Sequence, residues 1–322
     1  MPKDSIIVEH INPAEDTVRS VVIIPRTLHH QQESDDSPAF FYVVAFIVFL
    51  VLALRLIGLR LDRKRRENME ATYTVPEQVL PEEPGALIYP GNELRFPTEE
   101  IDRVLTKHLP YYVKLPDTEK ERFRFRLQKF MQSKIFVIYD KIGFKEMPIL
   151  LSATAIKLSF GLKNYLLPFY RSIHIFPEEF WGIEPSIRVL AGNVSGNRIH
   201  VSWKHFLEGI KDPEDGSNLG LHEMAHAYYF QNLETGKPED ESFADRFKTF
   251  NTYGNGVFEQ KRISGNVLYS KYAMTQFQEF WAESVELFFE KPHALQKEYP
   301  QLYHLMTLLL NQHPDKDADQ VA

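Results

Sequence analysis

The sequence predicts an α+β fold, because helical patterning gives way to a cluster of short strands and then returns. Three stretches carry that prediction. EMPILLSATAIKLSFGL (146–162) is apolar on nearly every face, as a buried helix is. RSIHIF (171–176), SIRVLA (186–191) and RIHVSW (198–203) are short and rich in β-branched residues. NLGLHEMAHAYYFQN (218–232) resumes helical spacing after the loop KDPEDGSN.

Ahead of the domain, Ala39 to Leu54 carries neither charge nor proline, and after Arg55 the apolar run continues to Leu59. At ~1.5 Å per residue such a helix reaches across a hydrocarbon core of ~30 Å. Arg60, Arg63, Lys64, Arg65 and Arg66 crowd its far end, whereas Glu33, Asp35 and Asp36 precede it. The expectation is a single-pass membrane protein with a transmembrane helix over 39–61, the tail 1–38 outside and the remainder cytoplasmic. Residues 62–97 read as a basic juxtamembrane segment and a Pro-, Glu- and Gly-rich linker, 98–315 as the folded domain, and 316–322 as a tail.

Within the domain, helical patterning begins at Thr98, and a second helix is expected over 116–134 with Asp117 or Thr118 as its N-cap. In RIHVSW, Ile199, Val201 and Trp203 alternate with Arg198, His200 and Ser202, which suits a strand with one buried face. Asp215 or Ser217 is placed to cap the helix that follows, with Gly220 in its first turns.

Composition narrows the chemistry. A formal net charge of −7 over 322 residues, with no long basic face, argues against a nucleic-acid partner. The absence of cysteine excludes disulfides, thiolate metal sites and a cysteine nucleophile. Any zinc here is held by histidine and carboxylate.

His222, Glu223 and His226 stand in the spacing H-E-x-x-H. On a helix, residues i and i+4 lie one above the other, so both imidazoles can reach one ion. Glu223, one residue round, falls where a base must sit to take a proton from an activated water. The plain alternative is an amphipathic helix with two incidental histidines. A catalytic zinc needs a third protein ligand, and glutamate is a natural choice. QFQEFWAESVELFFEKP (276–292) offers Glu279, Glu283, Glu286 and Glu290 along one stripe. An acidic stripe opposite aromatics is as readily a solvated face, and spacing leaves the choice among the four open.

The ordered segments LPYYVKLPDTEKERFRFRLQKFMQSK, LLSATAIKLSFGL, IHIFPEEF, SWKHFLEG, DGSNLGLHEMAHA and YAMTQFQEFWAESVELFFEKPHAL resemble the Mlc titration factor A family of zinc peptidases over about residues 105–314. The resemblance implies a zincin-like, gluzincin-type fold with one Zn2+ bound by His222, His226 and Glu279, and Glu223 as catalytic base. It matches Tyr272 to a tyrosine that steadies the oxyanion, and Glu286 to a second glutamate that orients a histidine. Two departures stand out. Tyr229 occupies a position where many members of the family have aspartate, and the apolar segment with its preceding tail is an addition to the usual form.

These observations lead to an expected membrane-tethered zinc peptidase whose peptide or protein substrate lies antiparallel along RIHVSW, touching Ile199, His200 and Val201. The second expectation, of another class, is a tethered module that sequesters a regulatory protein, with zinc structural or absent, since the resembled family is linked to a sugar-responsive transcriptional repressor.

Overall fold

In the computed structural model, which describes residues 86–139, 146–182, 188–265 and 268–314, the first element lies inside the expected linker. Leu87–Pro90 forms strand β1 and pairs antiparallel with β2 (Ile135–Ile138). Between them run α1 (Thr98–His108), the single turn α2 (Pro110–Val113) and α3 (Asp117–Gln132). Pro116, rather than Asp117 or Thr118, holds the cap position of α3, and no side chain caps that end. A proline just ahead of the helix brings no N–H of its own to satisfy.

Then follow α4 (Glu146–Ser159), β3 (Ser172–Phe176), β4 (Phe180–Gly182), β5 (Arg188–Leu190), β6 (Gly192–Ser195) and β7 (Arg198–Ser202). As its composition predicts, α4 is buried from Met147 to Ser159. The main sheet is mixed, in the order β1-β2-β3-β7-β6, with β3 parallel to both β2 and β7 and the outer pairs antiparallel. Side chains alternate across a strand, so Phe136, Ile138, Ile173, Ile175, Ile199 and Val201 share one face, and all are buried in the core.

The pairing corrects the expected groove edge. β7 is hydrogen-bonded to β3 on one side and β6 on the other, so RIHVSW has no free edge to offer a peptide. The end of the sheet is β6, whose sequence GNVS has too little alternation to declare itself a strand.

The second half is helical: α5 (Trp203–Lys211), α6 (Leu219–Tyr229), a π-helical turn (Phe230–Glu234), α7 (Glu241–Ser264), α8 (Phe277–Glu290), α9 (Pro292–Glu298) and α10 (Pro300–Leu310). The cap of α6 is Asn218, which accepts the Leu221 N–H, and not Asp215 or Ser217. Gly220 lets α5 lie close to α6, since a Cβ there would come within 2.5 Å of the Phe206 ring. α8 packs along α6, and the buried Trp281 donates its indole N–H to Ala225 O at 3.0 Å.

The expected single-pass membrane placement, with the domain cytoplasmic, is corrected. Among the described residues no helix is long and apolar enough to cross a membrane. The apolar α4 has 14 residues, about 21 Å against the ~30 Å required. The 24-residue α7 is long enough but studded with charge. The segment 39–61, on which the expectation rested, lies outside the described residues.

Candidate metal centre

The capped α6 carries His222 and His226 on the face it turns to α8, one turn apart. Glu279, in the first turn of α8, meets both: its Oε2 lies 3.0 Å from His222 Nε2 and 3.2 Å from His226 Nε2. The two Nε2 atoms are 3.1 Å from each other. Bonds of ~2.0–2.1 Å in tetrahedral array hold ligand atoms about 3.3 Å apart, so these three atoms stand where ligands of one such ion would stand. Among the described residues, His222, His226 and Glu279 form the His/carboxylate group able to share a metal ion.

The electrostatics reflect that crowding. Burial works against a charged His222, but the hydrogen bonds its ring donates to Glu279 and Glu286 outweigh it and hold its pKa well above 6.5. Burial likewise opposes the Glu279 carboxylate, yet its bonds to the two imidazoles draw it well below the usual carboxylate range. Glu223 is buried and its pKa is raised by that burial, against the pull of His222 and His226.

Glu223 packs against the edge strand. A Cβ on Gly192 would lie 2.3 Å from Glu223 Oε1, so the Glu223 side chain keeps this position against β6 only while residue 192 has no side chain. The other oxygen, Oε2, is buried without a hydrogen-bond partner. Glu223 and His222 line an open cleft of ≈ 820 Å³ together with Ala191, Gly192, Tyr272 and Glu283.

The acidic stripe of α8 does not face solvent. Glu286 Oε1 lies 2.7 Å from His222 Nδ1, and its Oε2 accepts the Asn218 backbone N–H at 2.5 Å. Glu283 accepts from the backbone N–H and the hydroxyl of Ser270 at 2.6 and 2.5 Å. That clamp holds the segment bearing Tyr272, which is 55% exposed with its ring centre 6.4 Å from that of His222.

Tyr229 directs its hydroxyl to Glu234 at 3.2 Å. His226 Nδ1 is buried and has no hydrogen-bond partner.

The expected substrate contacts are corrected with the edge. Ile199 and Val201 are wholly buried in the core, and His200 lies on the opposite face, its ring 5.0 Å from that of His174. None of the three lines the cleft. Two contributors escaped the sequence reading. Gly192 sits in a stretch that resembles a turn, and Asn218 competes with Asp215 and Ser217 for the cap, although asparagine is among the strongest helix caps.

Two comparisons bear on the site. Residues 92–310 match the family of glucose-regulated metallo-peptidases M90. The chain is also 24% identical over 221 residues to the uncharacterized protein slr2042 of Synechocystis sp. (strain PCC 6803), an alignment covering 63% of this chain and 80% of that protein.

Proposed function

The chain belongs to the glucose-regulated metallo-peptidase family M90, and we propose that it is a zinc-dependent enzyme hydrolysing peptide bonds, with Glu223 as general base. The observation that carries this reading is the meeting of His222 Nε2, His226 Nε2 and Glu279 Oε2 within 3.0–3.2 Å, beside a buried carboxylate with a free oxygen. Neutral imidazoles and one carboxylate are the donor set of a hydrolytic zinc site that leaves a fourth position open.

When bound, zinc supplies Lewis acidity, polarising the scissile carbonyl and making a nearby water acidic near neutral pH. The other tasks fall to the chain. Glu223, its pKa raised by burial, takes the proton from the attacking water and passes it to the leaving amine. Tyr272 donates a hydrogen bond to the oxygen on which negative charge develops. The edge of β6, which ends the sheet among the described residues, offers main-chain groups to an extended peptide, and the close approach at Gly192 sets Glu223 alongside the bond to be cut.

The test is Glu223→Gln. It is expected to retain stoichiometric zinc while losing cleavage of a peptide library. Full turnover in that variant would exclude the mechanism.

A further inference from the structure

The stripe of α8 ends in Glu290, a carboxylate the proposed chemistry leaves without a task. It is 5% exposed, and its Oε2 has no hydrogen-bond partner. Its Oε1 accepts from the Asn218 side-chain amide at 2.8 Å. A positive charge that acts on Glu290 is that of Lys157, the one basic residue on α4, itself 6% exposed, with its ammonium 5.3 Å from the centre of the Phe289 ring. Burial pulls the Lys157 ammonium down to about 8 and pushes Glu290 up to about 7, and each charge partly restores the other. Taking two opposite charges out of water costs several kcal/mol per ion unless their pairing and hydrogen bonds offset it. Packing alone gives no reason to keep this pair inside.

Asn218 supplies one. Its Oδ1 accepts the Leu221 N–H at 3.0 Å, and its amide donates to Gly209 O at 3.2 Å and to Glu290. Its backbone N–H donates to Glu286, whose other oxygen meets His222 Nδ1. An asparagine amide has two donors and one acceptor. A carboxylate at Glu290 decides which way round that amide stands and leaves Oδ1 for the helix cap. A continuous run of hydrogen bonds therefore links Glu290 through Asn218, Glu286 and His222 to Glu279.

We propose that Asn218 and Glu290 form a buried positioning relay that sets the direction of the Glu286 carboxylate and, through it, the nitrogen that His222 presents to a metal. The relay rests on the metal-centre reading given above. Neither of its members touches the ion or the substrate. They act by fixing the cap of α6 and the carboxylate that orients one ligand. Loss of a partner bonded directly to a ligand commonly changes metal affinity by about 10- to 100-fold, and the relay, a step further out, acts toward the lower end of that range.

The experiment uses the full chain and two readouts: Zn2+ affinity by competition with a chromophoric chelator, and the visible absorption of the Co2+-loaded protein. Glu290→Leu is expected to weaken Zn2+ binding about tenfold and to shift the Co2+ bands. Glu290→Gln keeps an oxygen for Asn218 and should recover most of that loss. Should Glu290→Leu fail to fold, Asn218→Ser retains an oxygen for the cap but drops the amide, and the Co2+ shift is expected there. A folded Glu290→Leu, or in its absence Asn218→Ser, with unchanged affinity and spectrum overturns the relay and leaves the metal centre standing. Equal loss in the Gln and Leu variants overturns it as well. A wild-type chain that takes up no metal removes the metal-centre reading and the relay together.

Discussion

Glu286 Oε1 lies 2.7 Å from His222 Nδ1, while Glu279 Oε2 lies 3.0 Å from the Nε2 of the same ring. The imidazole is thus held from both ends by carboxylates of one helix. With Nδ1–H donated to Glu286, Nε2 keeps its lone pair for a metal.

That geometry predicts a ranking. Glu286→Ala should weaken Zn2+ binding about 10- to 100-fold, and Glu279→Ala should weaken it further because it removes a ligand atom. Chelator competition on the two variants reads the order, and the reverse order would place the ligand at Glu286.

Gly192 gives a sharper case, because a methyl group there would sit 2.3 Å from Glu223 Oε1. Gly192→Ala is expected to bind zinc like the wild type while kcat falls about 10²- to 10⁴-fold, the usual worth of a positioned base. Metal content and peptide turnover measured on one preparation separate this outcome from general unfolding.

Ser270 and Glu283 pin the segment that bears Tyr272. Tyr272→Phe should lower kcat about 10²- to 10³-fold. Glu283→Ala should lower it in the same direction by less, with zinc affinity unaffected in both. A Glu283→Ala variant that loses its metal instead would assign Glu283 to the centre itself.

The pH dependence follows from two opposed shifts. In the metal-free chain, bonds to Glu279 and Glu286 overcome burial and raise His222 well above 6.5. The stability it contributes is complete below 6.5 and is lost as pH climbs through the raised value. Glu279 overcomes burial through its bonds to the imidazoles and lies well below 4.5, so its contribution is present above 4.5 and is lost as pH falls through the depressed value. With chelator present, Tm should therefore hold between those limits and fall at either end. Zinc must displace the His222 proton, so its affinity should rise with pH across the same upper range. A chelated sample whose Tm climbs steadily from neutral to alkaline pH would contradict this assignment.

Local chemistry settled a good part of the molecule before any tertiary contact was considered. Helix periodicity alone puts His222 above His226, and an almost unbroken apolar run makes α4 an interior helix. Other features became legible only in three dimensions. The carboxylates at 279, 283, 286 and 290 share one stripe, and nothing in their spacing distinguishes them. Packing of α8 along α6 gives them separate partners: the two imidazole Nε2 atoms, Ser270, His222 Nδ1 and Asn218. The edge of the sheet was decided in the same way. RIHVSW has the stronger strand pattern but is paired on both sides, and the weaker GNVS takes the edge, because neighbour order in a sheet depends on contacts between segments distant in sequence. Periodicity reports on a residue's own element, whereas the identity of a ligand or an edge depends on which other element lies across from it.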